Sequence, residues 1–147
     1  MKKEWKKLYK SMSMDEKKAL IMLWKRTTLS KPSPHCVENM VRRDVTRDMI
    51  EDAWRINQFV EFKVKNGRPR LVVRGLHVYT CHYDYSSNGV KKLSTRKEAC
   101  NVCLVVDMID GNIVTCYTSP VRLKDSYINS TEHDSNYDYE KDVRDYL

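Results

Sequence analysis

The chain has 147 residues and a formal net charge of +7, with 41% hydrophobic and 32% charged residues, which is enough for one domain with a real core and too little for two. No run approaches the roughly 18 apolar residues of a membrane helix, and Met1-Lys2-Lys3-Glu4-Trp5 leads into no signal-peptide core, so a cytoplasmic protein without a membrane partner is expected. Charge is uneven: residues 1–31 carry +7 and residues 132–147 carry −4, a basic end suited to RNA or another polyanion and an acidic end able to shield it.

Taken in order, KKEWKKLYK over residues 2–10 places Trp5, Leu8 and Tyr9 at helical spacing with lysines elsewhere. This predicts a short helix, with Lys6 and Lys7 as candidate polyanion contacts. Ser13 and Glu16 form a capping box that opens a second helix, whose stripe is Ala19, Leu20, Leu23 and Trp24. These two helices make an amino-terminal extension, residues 1–31. Stripes of this kind face a core, although Trp5 and Trp24 are also the residues through which the extension would grip a protein partner. Ser33-Pro34 starts a third helix, with Val37, Met40 and Val41 at helical spacing and Arg42-Arg43 at its end. Thr46 opens a fourth, carrying Met49, Ile50, Ala53 and Trp54.

Strands follow. Val60, Phe62 and Val64 alternate across Gln58–Lys65, and Asn66-Gly67 is a hairpin signal that returns the chain along Arg68–Arg74. Gly75 leads into Leu76–Tyr85, a further strand; Ser86–Arg96 is a polar loop holding Lys91 and Lys92. Residues 99–109 form the most apolar strand, buried on both faces, and Asp110-Gly111 turns it into Asn112–Thr118. The prediction is an α+β fold: two amino-terminal helices, two short central helices, then a four- or five-stranded mainly antiparallel sheet. The domain spans 32–120, and the acidic, tyrosine-dotted residues 121–147 read as a flexible tail with a weak helix near Tyr139–Tyr146.

Five cysteines, an odd number lying mostly in apolar strand patterns, predict reduced, buried thiols. Cys100-x-x-Cys103 has zinc-like spacing, but within a strand i and i+3 face opposite sides and no glycine knuckle accompanies them. Neither a metal nor a cofactor is therefore expected. There is no Gly-x-Ser-x-Gly elbow, Walker loop or dinucleotide fingerprint, and no Asp-x-Asp cluster in the predicted sheet. What remains is a histidine, arginines and hydroxyls. That inventory suits metal-free RNA cleavage, in which the nucleophile is the substrate's own 2′-hydroxyl.

Ser33, His35, Met40, Arg43, Val45 and Thr46, followed by an antiparallel sheet whose last strand reads Val114-Thr115-x-Tyr117, carry a family likeness. Over about residues 33–117 the chain resembles the small toxin-like domain family grouped with the RelE and BrnT ribonuclease toxins, whose pattern opens S-x-H-A-x-x-R-M-x-x-R-G-I-S. Cys36 replaces the small residue, Asp44 the glycine, and Asn39 the first arginine. The resemblance implies His35 as general base or acid, Arg43 as phosphate clamp, and Thr115 and Tyr117 as strand residues over the site. Beside it, Arg74 offers a second cation, while Arg42, about 100° from Arg43 around a helix, is a poor substitute for the missing arginine. Two functions stay open: a metal-independent ribonuclease, or a non-enzymatic regulatory or host-takeover protein that uses the same fold to bind nucleic acid or protein. Catalysis requires His35, Arg43, Thr115 and Tyr117 to converge on one phosphate-sized space.

Overall fold

The computed structural model describes residues 4–56, 58–123, 133–134 and 136–147, and its first element is a strand, β1 (Trp5–Leu8), where the sequence predicts a helix. β1 runs antiparallel to β2 (Gln58–Lys65), with Trp5 opposite Val64 and Lys7 opposite Phe62. Phe62 and Val64 enter the core, so alternation turns Trp5 and Lys7 inward with them. An inward lysine breaks the binary pattern of a strand. It is tolerated here because Nζ of Lys7 lies 2.9 Å from Oε1 of Glu16 on the next element.

That element is α1 (Met14–Arg26), whose capping box forms: the Glu16 N–H donates to Ser13 Oγ at 3.1 Å, and Ser13 N–H to Glu16 Oε1 at 2.7 Å. α2 (Pro34–Arg42) is capped by Ser33, and α3 (Arg47–Arg55) by Thr46. A further helix, α4 (Glu140–Arg144), lies near the carboxyl end. The fold is α+β, but the predicted pair of amino-terminal helices is corrected to a strand and one helix.

Among the described residues, β3 (Arg68–Val78), β6 (Cys100–Asp107) and β7 (Ile113–Pro120) complete a five-stranded sheet in the order β1-β2-β3-β6-β7, each neighbouring pair antiparallel. β6 is buried along its whole length, as its composition predicts. β4 (Cys81–Ser87) and β5 (Val90–Arg96) form a separate two-stranded ribbon in place of the predicted strand end and polar loop. Asn88 and Gly89 turn it with φ of 51° and 76°, the two positive values a tight hairpin needs.

Helices pack on one sheet face, where Leu71, Val73, Val102, Leu104, Val106 and Cys116 meet Leu20, Leu23, Cys36 and Ile50. The opposite face carries a smaller cluster of Val60, Val72 and Val105, with Val114 and Tyr117 against it. Tyr139 and Val143 belong to the helix-side core, and the Tyr139 ring stacks on Trp5 at 3.7 Å. The amino-terminal residues and the end of the chain thus share one core with residues 32–120. The flexible-tail expectation is corrected for residues 137–147; its part over 124–132 and 135 lies outside the described residues. No helix among the described residues is long and apolar enough to cross a membrane.

The turn after β6 docks onto the connector before α2. Gly111 has φ of 75°, its carbonyl accepts from Ser30 N–H at 2.9 Å, and a Cβ there would run into the Thr28 carbonyl oxygen. Gly111→Ala is expected to cost about 3 kcal/mol or more, combining left-handed strain with a backbone clash. Urea unfolding of the variant measures it; a cost under about 1 kcal/mol would mean that connector and turn move apart freely.

Candidate functional site

α2 lies along β7, and Ser33 sets the junction: its Oγ accepts from Cys36 N–H at 3.0 Å and donates to the Val114 carbonyl at 2.7 Å. Pro34 fills the first helical position, which places His35 in the first turn, exposed to solvent. Asn39 lies one turn on and is 7% exposed. Its amide nitrogen is 2.9 Å from Thr115 Oγ1, to which it donates, and 3.4 Å from His35 Nε2. The two N–H groups of one amide serve both neighbours. An amide nitrogen can only donate, so this contact uses an Nε2 that carries no proton.

Thr115 and Tyr117 project to one side of β7, because the register runs without a shift from Thr115 to Pro120. A β-bulge just before, between the rows of Val105 and Val106, tilts the edge strand so that Thr115 meets α2. Tyr117 packs with Val60, Val72 and Val105, away from the helices. It stands beside Cys103, which in turn pairs with Arg74 across the sheet. Burial pushes the Cys103 thiol up to about 12, against the opposing pull of Arg74 and Tyr117.

Arg43 goes elsewhere. It caps the end of α2, and its guanidinium donates to the His82 carbonyl at the base of the ribbon, 3.3 Å away. Together with Thr118, Tyr79 and Met49 it lines a cavity of about 210 Å³ between α3 and the ribbon. Asp44, standing where the resembling pattern has glycine, has φ of 53°, a conformation glycine adopts readily and aspartate tolerates. The structure therefore brings His35 to Thr115 through Asn39, sets Tyr117 farther along the same strand, and sends Arg43 to the ribbon.

The remaining cations are dispersed. Arg42 is exposed on α2, and Lys91 and Lys92 are exposed on β5. Arg74 is 6% exposed and donates from Nε to Gln58 Oε1 at 3.0 Å. Lys6 is half-buried on β1. Lys7 is corrected: it is 3% exposed and spends its donors on Glu16 and the Tyr137 carbonyl, so no polyanion reaches it. Trp5, 4% exposed and stacked on Tyr139, is taken up by the core and corrected as a partner contact, while Trp24 is half-buried against Trp54 and Phe59.

Asn39 was legible as a departure from the pattern; its link to His35 follows from i, i+4 spacing on a helix. Among the described residues no group of three His, Cys, Asp or Glu side chains could hold a metal ion. No protein-family model, curated protein or solved structure matches the chain.

Proposed function

We propose that this chain binds single-stranded RNA without cutting it, along one face of the β4–β5 ribbon. The carrying observation is the ribbon's own register. Tyr85 pairs with Lys92, so with Arg96 four residues on they share one face. Tyr85 is 44% exposed and Tyr79, just before β4, is 76% exposed. Exposed aromatic faces among cations are what an unpaired strand uses, stacking its bases and neutralising its phosphates. RNA is the chosen nucleic acid because the motif residues Ser33, His35, Met40, Arg43, Val45 and Thr46 resemble those of RNA-cleaving toxins. The five free, buried thiols suit a reducing compartment such as the cytoplasm.

Holding is favoured over cutting by the state of the two groups that cleavage needs. A general base must offer a lone pair, and the Nε2 lone pair of His35 faces the Asn39 amide. A phosphate clamp must face that base, and Arg43 faces the ribbon instead. The second reading, metal-independent cleavage, is favoured by the His35–Asn39–Thr115 contact itself, since it orders a titratable ring beside a hydroxyl.

Labelled single-stranded RNA incubated with the full chain in EDTA separates the two. Saturable binding with no shortening of the RNA is expected, and His35→Ala should change affinity by less than about threefold, because one exposed side chain away from the ribbon contributes little. Cleavage that His35→Ala abolishes would replace this reading with the second. No binding at low salt would sink both.

A further inference from the structure

The sheet face opposite the helices holds a cavity of about 310 Å³ at the far end of β3, lined by Ile56, Gln58, Arg74, Gly75, His77 and Asn101. Its polar residues are placed by backbone features. Arg74 and Asn101 sit on neighbouring strands, 6% and 7% exposed. Arg74 pairs with Cys103, and Asn101, two residues from Cys103, shares its side of β6. His77 is three residues beyond Arg74, which in a regular strand would put it on the other side. The register shift between Gly75 and His77 restores it to a position opposite Asn101. Gly75 lets the end of α3 descend: a Cβ there would stand 3.0 Å from Ala53 Cα and 3.2 Å from the Ile56 carbonyl oxygen. Gly75 thus allows Ile56 to wall the cavity.

The chemistry is that of a donor-lined pocket. Arg74 brings a guanidinium whose Nε is steadied by Gln58 Oε1. That contact fixes the Gln58 carboxamide and leaves its own N–H groups as donors. Asn101 adds a second amide and His77 an imidazole at the exposed rim. Among the described residues no carboxylate lines the cavity. Donors from three strands, β2, β3 and β6, line the one cavity, and a tetrahedral oxyanion offers more acceptor positions for them than a planar carboxylate does. The volume exceeds what one phosphate needs and leaves room for part of a sugar beside Ile56.

We propose that this cavity seats a terminal phosphate monoester, belonging either to a free nucleotide or to the end of a nucleic-acid strand. The cavity shares no residue with the ribbon face and does not require that the ribbon bind RNA.

The test titrates the isotope-labelled full chain with inorganic phosphate and with adenosine 5′-monophosphate at constant ionic strength in chloride, following the side-chain N–H signals of Arg74, Gln58 and Asn101. Saturable shifts are expected. Asn101→Asp keeps the side-chain volume but sets a like charge against the anion, and should weaken binding by about tenfold or more. If that variant fails to fold, His77→Glu at the exposed rim carries the same expectation. A 5′-phosphorylated oligonucleotide that binds tighter than its 5′-hydroxyl twin assigns the site to strand ends. Equal binding of the twins, with the monophosphate still saturating, assigns it to free nucleotides. Ribbon binding is read separately from the 5′-hydroxyl oligonucleotide, so either proposal can fail alone. The proposal is overturned if no saturable shift occurs up to about 20 mM phosphate, a concentration at which even millimolar affinity would be visible, or if the folded acidic variant binds as the parent does.

Discussion

Glu16→Ala is expected to destabilise the protein by about 3–5 kcal/mol, the range for removing one partner of a buried ion pair. Glu16 is 1% exposed and Lys7 3%. The carboxylate accepts from Lys7 Nζ at 2.9 and 3.0 Å, from Ser13 N–H at 2.7 Å and from Tyr139 N–H at 2.9 Å. One side chain therefore ties together the edge strand, the start of α1 and the carboxyl end. Alanine would leave the Lys7 ammonium buried with the Tyr137 carbonyl and no counter-charge. Burial alone would raise the Glu16 pKa, but the hydrogen bonds from Lys7, Ser13 and Tyr139 outweigh it and hold the carboxyl below its ordinary value. A lowered folded-state pKa stabilises fully above the unfolded value of about 4.3, and that contribution is lost as pH falls through the folded value. Parent and variant should then converge in acid, since protonated Glu16 neutralises Lys7 no better than alanine does. Denaturant melts at neutral and acid pH measure both effects. A neutral-pH difference below about 1 kcal/mol, the value of an exposed pair, would mean that this contact is solvated.

The same contact explains where sequence and structure part. The Ser13–Glu16 capping box is local and legible, three residues apart on one turn. The second use of Glu16, as counter-ion to Lys7, spans nine residues and two element types. Without it Lys7 reads as a solvent residue, and KKEWKKLYK looks like a helix with lysines outside. Tyr139 and Val143 were hidden for a related reason: their segment is acidic, and long-range contacts such as the Trp5 stack and the Glu16 hydrogen bond make it a core element. Asn66-Gly67 and Asn88-Gly89 are the same turn signal, yet only the first has alternating apolar neighbours. β5 is exposed along almost its whole length, so no hydrophobic pattern announces it. At the candidate site, residue identities were legible, but the direction in which Arg43 turns depends on His82, thirty-nine residues away.

Charge reversal on the ribbon should act on one face. Lys92→Glu is expected to weaken single-stranded RNA binding by about 30-fold or more at low salt, since it removes a phosphate contact and installs a repulsive charge. Lys91→Glu should cost much less, because Lys91 pairs with Ser86 and points to the ribbon's other side. Tyr85→Ala, on the Lys92 face, is expected to cost about 1–3 kcal/mol of binding through lost stacking. All three positions are exposed and lie outside both apolar clusters, so melting temperatures should stay nearly unchanged. A salt titration adds a second readout: neutralising Lys92 as Lys92→Gln should reduce the slope of log affinity against log salt by about 0.7, the contribution of one phosphate contact on a single strand. Diffuse attraction to a +7 protein would make the two lysines equivalent, because a smeared charge has no face. Equal losses from Lys91→Glu and Lys92→Glu, or no loss from Tyr85→Ala, would therefore remove the ribbon as the binding element.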